Sequence, residues 1–204
     1  MTTALVGPFS VNEIAFRITR AVVSAGVPWG IAQEVGVACR WMCGHGMDPA
    51  LTIVPALDGF HDGHSNAALT LTTAETGWVM SARGAGCLSA LFAAPSAADW
   101  MMIQPVHGGS SLCVRSIDCP TVFKAIISSR LDGILEFQMR EDGENLIIER
   151  NNEAKQPMAF FPLQGVWVNA EAWQTVERYF SWCLVPASNT SRLSGAGAGL
   201  KDED

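Results

Sequence analysis

Between positions 58 and 64 the chain reads Asp58-Gly59-Phe60-His61-Asp62-Gly63-His64, which sets two carboxylates and two imidazoles within seven residues. Imidazole nitrogen and carboxylate oxygen are ligands for zinc or iron, and His61, Asp62 and His64 are also residue types that move protons in general acid–base catalysis. No metal is predicted, because the spacing lacks the helical His-Glu-x-x-His arrangement that places two rings on one helix face beside a base. If a metal is bound, Asp58, His61 and His64 are the candidate ligands. Asp and Gly are equally what a solvated turn uses, so both readings stay open.

Two further loops carry candidate chemistry. Arg83-Gly84-Ala85-Gly86-Cys87 joins a fixed cation to small residues that permit close approach, which suits a carboxylate or phosphate and makes Arg83 a candidate ligand anchor. His107-Gly108-Gly109-Ser110-Ser111 offers His107 as a second acid or base beside amides that glycine leaves free for an anion. Cys39, Cys43 and His45 stand about one helical turn apart, but no second cluster of zinc-site spacing accompanies them. The Gly195-to-Gly199 alternation of Gly and Ala does not sit between a strand and a helix, so it is no dinucleotide fingerprint.

The elements that must hold these residues read as α+β. Ser10-Val11-Asn12-Glu13 has the spacing of a capping box, and Ile14, Ile18, Ala21, Val22 and Ala25 recur at helical spacing until Gly26. A second helix opens at Pro28, with Gly44 as its cap, so residues 10–44 form a helical hairpin. Pro49, Pro55, Gly59 and Gly63 break the pattern from Asp48 to Asn66 into a long irregular connection. Strands are expected at 67–73, 77–81 and 111–117, a short helical turn after Ser96, and a helix over 120–130. Asp142-Gly143 signals a hairpin between strands at 134–139 and 144–149, which 158–161 and 165–168 extend. Asn169 caps a last helix whose Trp173, Val176, Phe180 and Cys183 face inward. The expected architecture is one α+β domain over residues 1–185, its mainly antiparallel sheet covered by helices on one face, with 186–204 as a flexible Gly-Ala tail.

Composition narrows the function classes. Only 16% of the residues are charged while 49% are hydrophobic and seven are tryptophan. Ordinary domains carry about 25% charged residues, so part of the exterior is expected to face another chain or a ligand, with Trp29 and Trp41 on the helical hairpin as candidates. The net charge of −7 and the scattered basic residues exclude nucleic acid as a partner. The apolar stretch Ala85 to Met102 is interrupted by Pro95, Ser96 and Asp99, which argues against a membrane span. The six dispersed cysteines and the lack of a basic, apolar leader point to a reducing cytoplasm. Two functions follow: a binding or assembly subunit, as a homo-oligomer or with a protein partner, or a small-molecule enzyme using the His/Asp loop with Arg83 as anchor.

Ser10-Val11-Asn12-Glu13-Ile14, Pro28-Trp29-Gly30-Ile31-Ala32, Arg40-Trp41, and Val185-Pro186-Ala187-Ser188 followed by Ser191-Arg192 and the Gly-Ala repeat together resemble a family of bacterial proteins of about this length, known as a domain of unknown function. The resemblance implies a bacterial cytoplasmic domain and brings no activity, cofactor or catalytic residue. It also implies that the segment around Arg192 is an arm that docks on a ligand site or a second subunit.

Overall fold

The computed structural model describes residues 4–75, 77–103, 111–151 and 165–184. Its helices are α1 (Val11–Ser24), α2 (Trp29–Gly44), α3 (Pro49–His61), α4 (Ala90–Ile103), α5 (Pro120–Leu131) and α6 (Ala170–Trp182). Its strands are β1 (Leu5–Phe9), β2 (Ser65–Asn66), β3 (Leu69–Ala74), β4 (Gly77–Ala82), β5 (Cys87–Leu88), β6 (Ser111–Val114), β7 (Glu136–Asp142), β8 (Asn145–Asn151) and β9 (Val166–Asn169). The expected α+β class stands. The strand expected at 158–161 and the tail from 186 lie outside the described residues.

α1 begins where the capping box places it, with the Ser10 hydroxyl accepting from the Glu13 amide at 3.1 Å. The Glu13 carboxylate does not complete the box but turns to Arg17 one turn along, at 3.0 Å. Gly26 carries the positive φ (+98°) that lets the chain reverse after α1, and Pro28 precedes α2 as its cap rather than opening its first turn. At the far end Gly44 still belongs to α2, and Gly46 takes the left-handed conformation expected of the cap.

Two stretches differ from expectation. Residues 49–61 are helical: the Asp48 side chain caps the Leu51 amide at 3.1 Å, and Pro49 occupies the first turn, where a missing N–H costs nothing. Proline therefore starts this helix instead of breaking it. The stretch around Ser96 is not a short turn but the middle of α4, which carries Pro95 in its interior and buries Ala90, Leu91, Ala93, Ala94, Ala97, Ala98, Trp100 and Met101. Its less-buried stripe, Phe92, Ser96, Asp99 and Ile103, carries only two polar residues, so little polarity marks the period.

The main sheet has the order β3-β4-β6-β8-β7. It is antiparallel except where β4 and β6 run parallel, with α4 in the crossover between them. One face puts Met80, Leu112, Val114, Leu146 and Ile148 into the hydrophobic core, and Trp78 meets Trp100 of α4 edge-on at 6.3 Å. Between β7 and β8, Asp142 pairs with Asn145, so the two-residue turn is Gly143-Glu144 rather than Asp142-Gly143. β9 does not extend this sheet: it pairs antiparallel with β1 as a separate ribbon. That ribbon leads into α6, whose cap Asn169 accepts from the Ala172 amide at 2.8 Å. α6 then packs against α1 and α3.

Candidate functional site

α1 buries Ile14, Ala15, Ile18, Ala21 and Val22, and this stripe turns Phe16, Arg17 and Arg20 outward. Phe16 and Arg20 are four residues apart and so stack on one helix face. The Arg20 guanidinium carbon lies 5.6 Å from the Phe16 ring centre and 4.9 Å from that of Trp29. Trp29 reaches this position because the short connection through Gly26 and the buried Val27 starts α2 immediately beside the end of α1. A guanidinium between two aromatic faces is held by the ring quadrupoles as well as by contact. Phe16 remains 55% exposed and Trp29 47%, so the stack is an outward surface and not core.

α6 supplies the other half of the patch. Phe180 meets Phe16 edge-on at 6.0 Å, and the Arg17 guanidinium lies 5.6 Å from the Phe180 ring. Arg17 ties the two helices together through Glu177 at 2.6 Å, and the hydrogen bond to Glu177 leads the interactions that raise its pKa above the ordinary arginine value. Beneath them the Cys183 thiol donates to the Arg20 carbonyl at 3.1 Å and contacts Ser24 Oγ at 2.6 Å, which anchors the end of α6 on α1. Phe180 and Cys183, expected to face inward, are only half-buried. They pack along the α1–α6 seam.

The opposite flank of α6 receives the residues of the Asp58–His64 segment. Tyr179 is buried and donates to Asp58 Oδ1 at 2.8 Å, with Arg178 3.6 Å from the same oxygen. Burial, reinforced by the hydrogen bond to the Asp58 carboxylate, pushes the Tyr179 hydroxyl up to about 12. The His61 ring lies 5.5 Å from Tyr179 and 5.3 Å from Trp182, itself 51% exposed. Asp58 and His61 are thus one helical turn apart on α3, both turned to α6. Asp62 caps α3 and His64 follows it, both exposed.

The remaining candidates are spread apart. His64 leads into β2, whose pairing with β5 sets its carbonyl 3.9 Å from where a Cβ on Gly86 would stand. Arg83 is exposed, and among the described residues no hydrogen bond or ion pair joins its side chain to His61, Asp62 or His64. Among the described residues no group of three or more His, Cys, Asp or Glu side chains stands close enough to hold a metal ion. His45 stacks on Trp41 at 3.9 Å with its Nδ1 2.8 Å from the Trp41 carbonyl. Cys39 and Cys43 are buried, and desolvation raises both thiols, Cys43 to about 11. His107 and Arg192 lie outside the described residues.

Sequence reading singled out Trp29 but missed Phe16, Arg20 and Phe180. Phe16 and Arg20 carry a usable signal: an aromatic and an arginine at i and i+4, off the apolar stripe of a helix whose buried face is already complete.

Residues 9–73 match the model of a family described as a protein of unknown function (DUF3726). The match spans α1 to α3 and most of β3, and so contains the phrases around Ser10, Pro28 and Arg40, while those from Val185 to the Gly-Ala repeat lie beyond it. No curated protein and no solved structure matches the chain.

Proposed function

We propose that this protein is a cytoplasmic, non-catalytic assembly subunit that self-associates through the face formed by α1, the start of α2 and the end of α6. The single observation that carries the reading is the outward stack of Phe16, Arg20 and Trp29. Tryptophan and arginine are the residues on which binding energy concentrates, and here they are already fixed in one geometry before any partner arrives.

A second copy is the partner this surface fits. A two-fold interface joins one patch to itself, so the patch must carry both members of each complementary pair. This one does, with cations (Arg17, Arg20), aromatic faces (Phe16, Trp29, Phe180) and carboxylates (Glu13, Glu177) side by side. Half-exposed aromatics each leave about 100 Å² for a partner to cover, apolar area of the kind that hot-spot rings bury. Among the described residues no helix is long and apolar enough to cross a membrane.

Amide hydrogen exchange at low and high protein concentration tests the proposal. Protection that rises with concentration in α1, in the first turn of α2 and in the last turns of α6 supports it, and exchange independent of concentration there rejects it.

The enzyme reading keeps one observation in its favour, the neighbourhood of His64 and the Arg83–Cys87 loop across the β2–β5 pair. It weighs less because the imidazole of His61 is engaged with the α6 aromatics Tyr179 and Trp182.

A further inference from the structure

The face of the main sheet turned away from the core is a cleft of about 620 Å³. Its rows follow from the strand register. Val79, Cys113, Ile147 and Arg140 stand in one line across β4, β6, β8 and β7, and Ser111, Glu149 and Gln138 in the next. Small and aliphatic side chains therefore make the floor, while the long side chains of β7 and the end of β6 make the walls. Gly77 lets β4 and β6 approach closely, since a Cβ there would stand 2.4 Å from the Ser111 carbonyl oxygen.

Arg17, Arg130 and Arg178 each have a carboxylate within ion-pair distance, and Arg20 is stacked. Arg115 and Arg140 both line the cleft, and among the described residues neither has an ion pair. The Glu149 carboxylate on the same face accepts from Gln138 at 3.1 Å. Two exposed guanidiniums with no carboxylate within ion-pair distance among the described residues, on a face where Glu149 is the carboxylate lining the cleft, leave room for an anion from outside.

Arg140 stands two strands from Cys113, and Arg115 two residues beyond Cys113 along β6. Strands ~4.8 Å apart that rise ~3.3 Å per residue put the two arginine Cα atoms about 12 Å from one another, with Ile147 of β8 beside the line that joins them and Cys113 at its flank. We infer that this cleft binds a small organic dianion, with an acidic group at each end of a short apolar body, Arg115 and Arg140 each taking one end. The volume lies within the range of small-molecule sites, and guanidinium pairs with carboxylate or phosphate bidentately. This site is separate from the α1–α2–α6 face, and its test does not depend on association.

Isothermal titration calorimetry of the full chain with glutarate, adipate and suberate, and with acetate as the single-ended control, tests the inference. The expected result is saturable binding of at least one of the three dicarboxylates, tighter than acetate, with Arg115→Gln and Arg140→Gln each weakening it about tenfold or more. Both arginines are surface residues, so near-ultraviolet circular dichroism should remain that of the parent. A second readout is protection of Cys113 from iodoacetamide by the bound dicarboxylate, followed by peptide mass spectrometry. No saturable binding of any of the three, acetate binding as tightly, or affinities unchanged in both variants would overturn it.

Discussion

Gly36 sits where α2 crosses α1, and Gly36→Ala reports on how tightly the helical hairpin is packed. A Cβ at this position would stand 2.2 Å from Thr19 Oγ1 and 3.6 Å from the Ala15 carbonyl oxygen. The second distance is ordinary contact, so the clash is with one hydroxyl. That hydroxyl donates to the Ala15 carbonyl at 2.7 Å, and moving it forfeits the bond or shifts the helices apart. Replacing glycine by alanine inside a helix gains about 1 kcal/mol of helix propensity, while forcing a methyl into a packed contact costs about 1–3 kcal/mol. The clash outweighs the gain, and Gly36→Ala should destabilise the protein by about 1 kcal/mol, a fall in melting temperature of about 2–4 °C for a chain of this size. Thr19→Ala removes the obstructing atom. In that background the same glycine substitution should become stabilising by up to about 1 kcal/mol, which gives a coupling energy of about 2 kcal/mol between the sites. Urea denaturation of the four proteins, followed by far-ultraviolet circular dichroism, measures the cycle. Additive effects, or a Gly36→Ala protein more stable than its parent, would refute the packing argument and the placement of Trp29 beside Arg20 that depends on it.

Two other predictions use side chains with displaced pKa values. Tyr179 is the only tyrosine in the chain, so tyrosinate absorbance reports on it alone: its midpoint should lie near 12, against about 10 for the free side chain. Because the folded value is raised, its contribution to stability is complete below about pH 10 and fades as pH rises towards 12; the deficit of Tyr179→Phe, about 1 kcal/mol near neutrality, should shrink over that window. A midpoint near 10 would contradict the buried Tyr179–Asp58 contact. Among the thiols, burial raises Cys39, Cys43 to about 11 and Cys119 to about 12, whereas Cys87 is exposed. Cys87 should therefore react well before these three with iodoacetamide in the native protein, and alkylation of Cys39 at a comparable rate would contradict the core as described.

The parts of this fold that could be read from the chain are those where a local rule and the tertiary structure agree. The capping serine, the spacing of Ile14, Ile18 and Val22, and Asn169 before α6 satisfy backbone groups that exist whatever packs around them. The misreadings share a different cause. Pro49, Pro55 and Gly59 look like breaks, yet α3 is buried along Ile53, Ala56 and Leu57, and tertiary packing overrides two unfavourable residues. α4 shows little apolar period because its outward stripe, Phe92, Ser96, Asp99 and Ile103, is itself half apolar. The partner of β9 is β1, which lies at the other end of the chain and leaves no local trace in the sequence. The same limit governs the candidate face. Trp29 stood out by type, but its neighbours Phe16 and Phe180 come together across more than 160 positions through the packing of α6 on α1. The excess of apolar residues is largely explained by burial: α4 is core, and Trp41 is half-covered with its Nε1 donating to Asp132 at 3.2 Å. What stays outward is spread over several elements, from Leu5 and Leu51 to Ile103, Ile134 and Trp167, and around Arg20 two such aromatics, Phe16 and Trp29, stand together.

Sedimentation velocity over a dilution series, run on the parent chain and on the Phe16→Ala/Trp29→Ala variant, tests the assembly claim most directly. For the parent the sedimentation coefficient should rise with concentration. The variant should stay a monomer, with the circular dichroism of the parent because both rings are about half exposed. A parent chain that stays monomeric at every concentration, or association that survives loss of both rings, would contradict it.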